Sequence, residues 1–509
     1  MSWGRERADP QPPDLQDGVV LEELVIGGEH AGVRLGHGYR VAGLADRRHS
    51  LDVVPVPMRL DHPANPQALA EIEEQLVLVG RVHQEGVAGP TASYDVDVVV
   101  HRPHDGPVDL TCSVLPDPFD VRHTPRIAHV VDHHPMNFAF SEEQEELRQA
   151  VRRFLADKSP ESEVRRLMAT KHGYDPVVWR QMGEQLGLQS LVIPEQYGGT
   201  GFSFVEMAIV MEEMGAALLC APFFSSTVLA ASALLTSDDE EAKARWLPGI
   251  ASGETIATLA LAEDSGRWDL DAVELAAAPA GDGEGRWTLD GHKSFVLDGH
   301  SATLLLVVAR AGEGLGLFVV EGDAEGLVRT PLWTMDQTRK QARLEFSATP
   351  ARIVGVPGTA APGITKTLQL AVVALAAEQV GGAQHCLDSS VEYAKTRIQF
   401  GRPIGSFQAI KHKCADLLLE VESARSAAYY AGWAASEDSD ELPLMASLAK
   451  SYCSETYFHA AAENIQIHGG IGFTWEHDAH LYFKRAKSSE LLFGDPAYHR
   501  ELLARQIGI

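Results

Sequence analysis

Residues Ile465–Asp495 read IQIHGGIGFTWEHDAHLYFKRAKSSELLFGD. A glycine pair, Gly469-Gly470, interrupts helix-like sequence. An amphipathic run follows it, and a Gly-Asp-Pro turn at 494–496 breaks that run. This is the joint between long helices, so the chain around it reads as a helical bundle. Upstream, helical patterns cover about 363–397, 406–436 and 443–469, and a fourth covers 476–491. The connecting loops are short, so neighbouring helices pack antiparallel. Leu368, Val372, Leu375 and Val380 supply a buried face for the first of them.

Before the bundle the apolar period shifts toward two. ETIATLALAE, RWTLDGHKSFVLDG, ATLLLVVARA, GLGLFVVE and ARLEFSA, between about 254 and 355, read as strands of a small, mostly antiparallel β-domain. Asp290-Gly291 and Asp298-Gly299 are turn pairs of the hairpin type. Earlier still, Ser141 with Gln144 forms a capping box, and Leu147, Val151, Phe154 and Leu155 line one helix face. Helical patterns continue to about 250, interrupted by the glycine loop IPEQYGGTGFS at 193–203. The order is helices, β-domain, bundle: an α+β architecture with divisions at 136–253, 254–357 and 358–509. No GxGxxG follows a strand and no GxxxxGK[ST] occurs, so dinucleotide-fold and P-loop readings fail.

Residues 1–135 differ in texture. They lack lysine, the first being Lys158, and hold 11 of the 21 histidines. The bias fits translated GC-rich sequence upstream of a start at Met136. It equally fits a small accessory domain in which VVLEELVIGG and ASYDVDVVVHR are strands. His129, His133 and His134 lack metal-ligand spacing.

The formal charge of −28 argues against a nucleic-acid partner, because neutralising phosphates needs a basic face. No apolar run reaches the ~18–20 residues that cross a bilayer. The five cysteines are scattered without a CxxC pair, which fits reduced thiols in a cytoplasmic protein.

Four segments resemble, in order, the acyl-CoA dehydrogenase family of flavoproteins: MNFAFSEEQEELRQAVRRFL, LVIPEQYGGTGFS, TRIQFGRPIGSFQAIKHKCAD and IQIHGGIGFTWE. The resemblance spans 136–509 and points to a divergent member of actinobacterial type. It implies an N-terminal helical domain, a central antiparallel β-domain and a C-terminal four-helix bundle. It also implies FAD as cofactor, an acyl-CoA substrate of fatty-acid or steroid oxidation, and electron-transfer flavoprotein as acceptor. A homo- or hetero-oligomer, dimer or tetramer, follows, because these residues reach FAD held by a neighbouring subunit.

For FAD, Arg397 offers a forked cation for the pyrophosphate and Phe400 a flat apolar face. Gln399, Gln408 and Gln466 offer amides, and Gly469 and Gly470 let backbone approach. Phe295 covers the ring. The family's ring-binding hydroxyls are missing: Ala262, Trp268 and Leu297 stand at the threonine, serine and second threonine positions.

In the family's reaction a carboxylate in an apolar pocket removes the α-proton of the thioester. Its usual position falls on Phe493, and the position used by a second subgroup falls on or near Ala371. Three readings stay open. Asp495, two residues on, is the base; or Glu378 or Glu490 serves; or a partner subunit supplies the active site and this chain is a catalytically silent FAD- or CoA-binding subunit. A flavin monooxygenase-like use of the fold has no oxygen-activating residues to support it.

Overall fold

The computed structural model describes residues 140–281 and 285–509, together with two strands, β1 (Val96–His101) and β2 (Asp109–Val114). The chain divides into two units, Met1–Met136 and Asn137–Ile509. In the first, β1 and β2 pair antiparallel, with Val98 opposite Cys112. β1 coincides with the expected ASYDVDVVVHR strand. The expected VVLEELVIGG strand and the histidines at 129, 133 and 134 lie outside the described residues.

The second unit opens with α1 (Glu142–Lys158), whose capping box forms as read: Gln144 N–H donates to Ser141 Oγ, and Ser141 N–H to the Gln144 amide oxygen. Val151 and Leu155 are buried, and Leu147 and Phe154 pack against the same core. α2 (Glu161–Met168), α3 (Pro176–Leu186) and α4 (Phe204–Ala216) follow. A seven-residue π-helix, Phe224–Ala230, leads into α5 (Ala231–Leu235), and α6 (Glu240–Ala251) ends the helical region.

Seven strands make the β-domain: β3 (Ala257–Ala260), β4 (Ala276–Pro279), β5 (Arg286–Leu297), β6 (Leu304–Ala311), β7 (Gly314–Glu321), β8 (Leu327–Pro331) and β9 (Gln341–Val354). Antiparallel ladders run β6–β7–β9–β5–β4, and β4 touches β6 in parallel at Ala276–Arg310, which closes the ring. β3 lies parallel on β6, and β8 lies antiparallel on β9. Asp290-Gly291 is not a hairpin turn. β5 runs through it with a register shift between Leu289 and Gly291, and Gly291 takes φ 130° against Leu275. The pair that reads as a turn is a bulge, because a glycine inside a strand relieves the same steric limit as one in a turn. Asp298-Gly299 does end β5, but the next strand, β6, pairs elsewhere.

The bundle comprises α7 (Ala361–Thr396), α8 (Gln408–Ser436), α9 (Leu442–His468) and α10 (Ala479–Leu491). After it, α11 (Pro496–Gln506) extends the chain beyond the expected four helices; Asp495 caps it and Pro496 occupies its first turn. α4 crosses α7 closely. A Cβ on Gly215 would sit 2.0 Å from the Glu378 carbonyl oxygen, and one on Gly381 1.8 Å from that of Glu212. Only glycine permits this approach, and it brings the methionine face of α4 against Glu378. Among the described residues no helix is long and apolar enough to cross a membrane.

Candidate functional site

Phe493 sits in the turn between α10 and α11. Three interactions fix that turn. The Lys450 ammonium donates to the Ser489 and Glu490 carbonyls, each at 2.9 Å, capping the end of α10. His499 Nε2 donates to the Phe493 carbonyl at 3.0 Å. Asp495 accepts from Tyr498 N–H at 2.8 Å. Burial lowers the Lys450 pKa to about 7 and the His499 pKa to about 4. The result is a left-handed backbone at Phe493, φ 60°, with its ring turned inward and 6 % exposed.

Inside, the ring stacks on Phe224 (centroids 5.9 Å, 18° between planes) and meets the edge of Trp268 (4.9 Å). Trp268 and Phe493 border a cavity also lined by Leu259, Leu261, Ala262, Phe295, Leu297 and Leu368. Phe295 is placed there by a second register shift in β5, between Lys293 and Val296, with φ 60°. The neighbouring Ser294 hydroxyl donates to Asp264 at 2.5 Å.

Asp495 is exposed and does not line this cavity. Glu490 pairs with Lys487 at 2.8 Å. Glu378 is buried and takes Arg339 on both oxygens and Arg485 at 3.0 Å. Arg485 also reaches Asp336 (2.9 Å) and Thr338 (2.6 Å). Burial alone would lower the Arg485 pKa, yet Asp336 and Glu378 hold it above its ordinary value. Ala371 is fully buried. Sequence reading did not anticipate this ion cluster, since Arg339 and Arg485 stand 39 and 107 positions from Glu378.

The other candidates gather at one end of the bundle. Ser390 Oγ bonds the Asn464 side chain at 3.0 Å and Tyr393 stacks on His468 at 4.2 Å, so α7 and α9 end side by side. Arg397, Gln399, Phe400 and Gln408 follow α7; Gln466, Gly469 and Gly470 close α9. All are exposed. A Cβ at Gly469 or Gly470 would meet nothing within 4 Å, so the backbone there is open. Phe295 is not part of this group; it belongs to the interior cavity.

Family models match most of the second unit: acyl-CoA dehydrogenase N-terminal domain at 141–254, middle domain at 258–349 and C-terminal domain at 362–508. The chain belongs to the acyl-CoA dehydrogenase family. These enzymes are oxidoreductases acting on a CH–CH group. It is 39 % identical over 364 residues to acyl-CoA dehydrogenase IpdE2 of Mycobacterium tuberculosis, covering 72 % of this chain and 96 % of that protein. The ChsE4–ChsE5 complex from Mycobacterium tuberculosis superposes with TM-score 0.67 at 29 % identity, over 73 % of this chain and 99 % of that one. A Tcur3481–Tcur3483 steroid acyl-CoA dehydrogenase variant gives TM-score 0.66 at 31 % identity, over 72 % and 98 %.

Measured against the family's needs, the bundle end suits FAD: exposed Arg397, three exposed amides and an open glycine backbone can receive a pyrophosphate and its ribose. On the ring side, Phe295 provides a face, while Ala262 and Leu297 bring no hydroxyl. Among the described residues Ser294, whose hydroxyl donates to Asp264, is the one hydroxyl-bearing residue lining this cavity.

Proposed function

We propose that this chain is an FAD-dependent acyl-CoA dehydrogenase subunit whose proton-abstracting carboxylate comes from a partner subunit. The reaction is α,β-dehydrogenation of an acyl-CoA thioester to the 2,3-enoyl-CoA, with electrons passing to an electron-transfer flavoprotein. The catalytic fold divides as 136–253, 254–357 and 358–509, and residues 1–135 are an extension outside it. Arg397, Gln399, Phe400, Gln408, Gln466, Gly469 and Gly470 hold the phosphate and adenine end, and Phe295 covers the ring. FAD, when bound, accepts the hydride leaving Cβ.

One observation carries the missing base: Phe493, buried among Phe224 and Trp268, fills the position where the family's carboxylate is expected. The alternatives within the chain are engaged. Freeing Glu378 would leave the buried Arg339 guanidinium without a carboxylate and Arg485 with Asp336 alone, at about 3–5 kcal/mol. Asp495 has its oxygen on a helix cap. The relative named as a ChsE4–ChsE5 complex supports a hetero-oligomer, and the one named as a steroid acyl-CoA dehydrogenase supports a steroid-derived acyl group.

The test is a visible spectrum of the purified chain, alone and with its co-purified second subunit, during titration with acyl-CoAs. A yellow protein that bleaches only in the complex is expected. Bleaching by the chain alone overturns the partner-base reading; if Asp495→Ala then abolishes it with FAD retained, Asp495 is the base. Colourless protein in both preparations overturns the flavin reading.

A further inference from the structure

Resting on the acyl-CoA reading above, we infer that the acyl site continues past Phe224 into a second chamber that binds a hydroxyl group carried on the acyl moiety. The cavity beside Phe493 has a neighbour. The two share Leu297, and Phe224 stands between them, lining the inner one and stacking on Phe493, which lines the outer. Phe224 is the first residue of the π-helix, a geometry that recurs where a helix is bent to serve a site. The Arg339 guanidinium also lies over its ring, 5.2 Å from the centroid. Phe224 is therefore a partition made of one side chain.

The inner chamber has a lining of two kinds. Met211, Met214, Leu219 and Phe223 make the apolar part. The same lining carries five charged groups. Three of these satisfy one another: Glu378 is shared by Arg339 and Arg485, and Arg485 is completed by Asp336 and Thr338. The remaining two are not in ion pairs. Among the described residues no cation lies within salt-bridge distance of Asp298, whose carboxyl accepts from Ser225 Oγ at 2.7 Å. Lys340 likewise has no carboxylate within that distance; its ammonium donates to the Met168 carbonyl at 2.6 Å. Burial pushes the Asp298 pKa up to about 6, as expected for a carboxyl without a paired cation.

This lining discriminates between acyl groups. An alkyl tail would take the methionine surface but would cover Asp298 without giving it a donor, which is costly. A carboxylate would accept from Lys340 but would be set against Asp298, like charge on like. A hydroxyl donates to Asp298 and accepts from Lys340, using one spare site on each.

Isothermal titration of the full-length chain with its co-purified subunit tests this. The probes are CoA thioesters of six, eight and ten carbons, each unsubstituted, ω-hydroxylated and ω-carboxylated. At one length or more the ω-hydroxy thioester is expected to bind roughly tenfold tighter than its unsubstituted match. Asp298→Ala should bring that ratio to near one, as should Phe224→Trp, which widens the partition. If Asp298→Ala does not fold, Lys340→Met is measured in its place. Equal or tighter binding of the unsubstituted thioester at every length overturns the inference, as does a preference for the ω-carboxylate. If no thioester binds at all, the acyl-CoA reading itself falls, and the chamber's role with it.

Discussion

Phe493 provides a quantitative check on the site's geometry, because its side chain and its backbone make opposite demands. The ring is 6 % exposed and contacts Phe224 and Trp268. Truncating a buried Phe to Ala costs about 3–5 kcal/mol, with each aromatic contact supplying about 0.5–1.5 kcal/mol of the total. The backbone, at φ 60°, penalises any residue with a Cβ by about 1–2 kcal/mol. Phe493→Ala loses the ring and keeps the penalty. Phe493→Gly loses the ring and removes it, offset by about 0.5–1 kcal/mol of extra chain entropy in the unfolded state. Glycine should thus be the more stable of the two by about 0.5–1 kcal/mol, although it is smaller. Urea unfolding followed by tryptophan fluorescence reads both, as a shift in midpoint at constant slope. A cost below about 1 kcal/mol for Phe493→Ala would refute the buried stack, and alanine outlasting glycine would refute the left-handed turn.

Three further outcomes are expected. Asp495→Ala should lose about 1 kcal/mol of stability, the worth of a helix N-cap, and leave flavin bleaching in the complex unchanged; loss of bleaching would make Asp495 the base. Arg485→Met should destabilise by about 3–5 kcal/mol, because Asp336 and part of Glu378 are left buried without their cation; a near-neutral value by calorimetry would dissolve the ion cluster. Asp298 holds its proton more tightly folded than unfolded, so its contribution to stability falls as pH rises from 3.8 to about 6 and is constant above. Asp298→Asn should therefore match the parent at pH 4 and exceed it by up to about 3 kcal/mol at pH 7.5, and parallel stability curves across that range would exclude the raised pKa.

Much of the architecture is written in local pattern. The helices of the bundle, the capping box at Ser141 and five of the seven β-domain strands are legible because their periods are strong and their ends carry caps or turns. β4 and β8 are not: AAAP and LVRTP lack alternation and are held by their partners in the ring. Asp290-Gly291 misleads because turn and bulge use the same residue. For the site, the family resemblance points to the bundle end and draws attention to Phe493. They do not reveal what Phe493 touches. Phe224, Trp268 and Phe493 come from three regions of the chain, and only the fold makes them one cluster. The same is true of Asp336, Arg339, Glu378 and Arg485, each of which reads singly as a surface charge.

The division of the site bears on where a carboxylate is to be sought. In its interior part Phe493 is buried against the chain's own aromatics, while Phe295 stays partly exposed. Its outer part, at the end of the bundle, is open, and it carries large apolar side chains: Phe400 is 90 % exposed, Phe473 83 % and Trp475 62 %. Isolated exposed apolar residues are ordinary, but several such rings beside an open glycine backbone are what interaction surfaces present. Arg402, stacked on Phe407 at 4.1 Å, extends the same surface with a cation. If this end is the flavin cradle proposed above, it faces outward and would be completed by what docks there. On the proposed reading, in which the base position holds the buried Phe493, a docking subunit would serve two ends, enclosing the cofactor and bringing the proton acceptor. One assembly step would meet both, which is why the complex, and not the isolated chain, is the species in which catalysis should first appear.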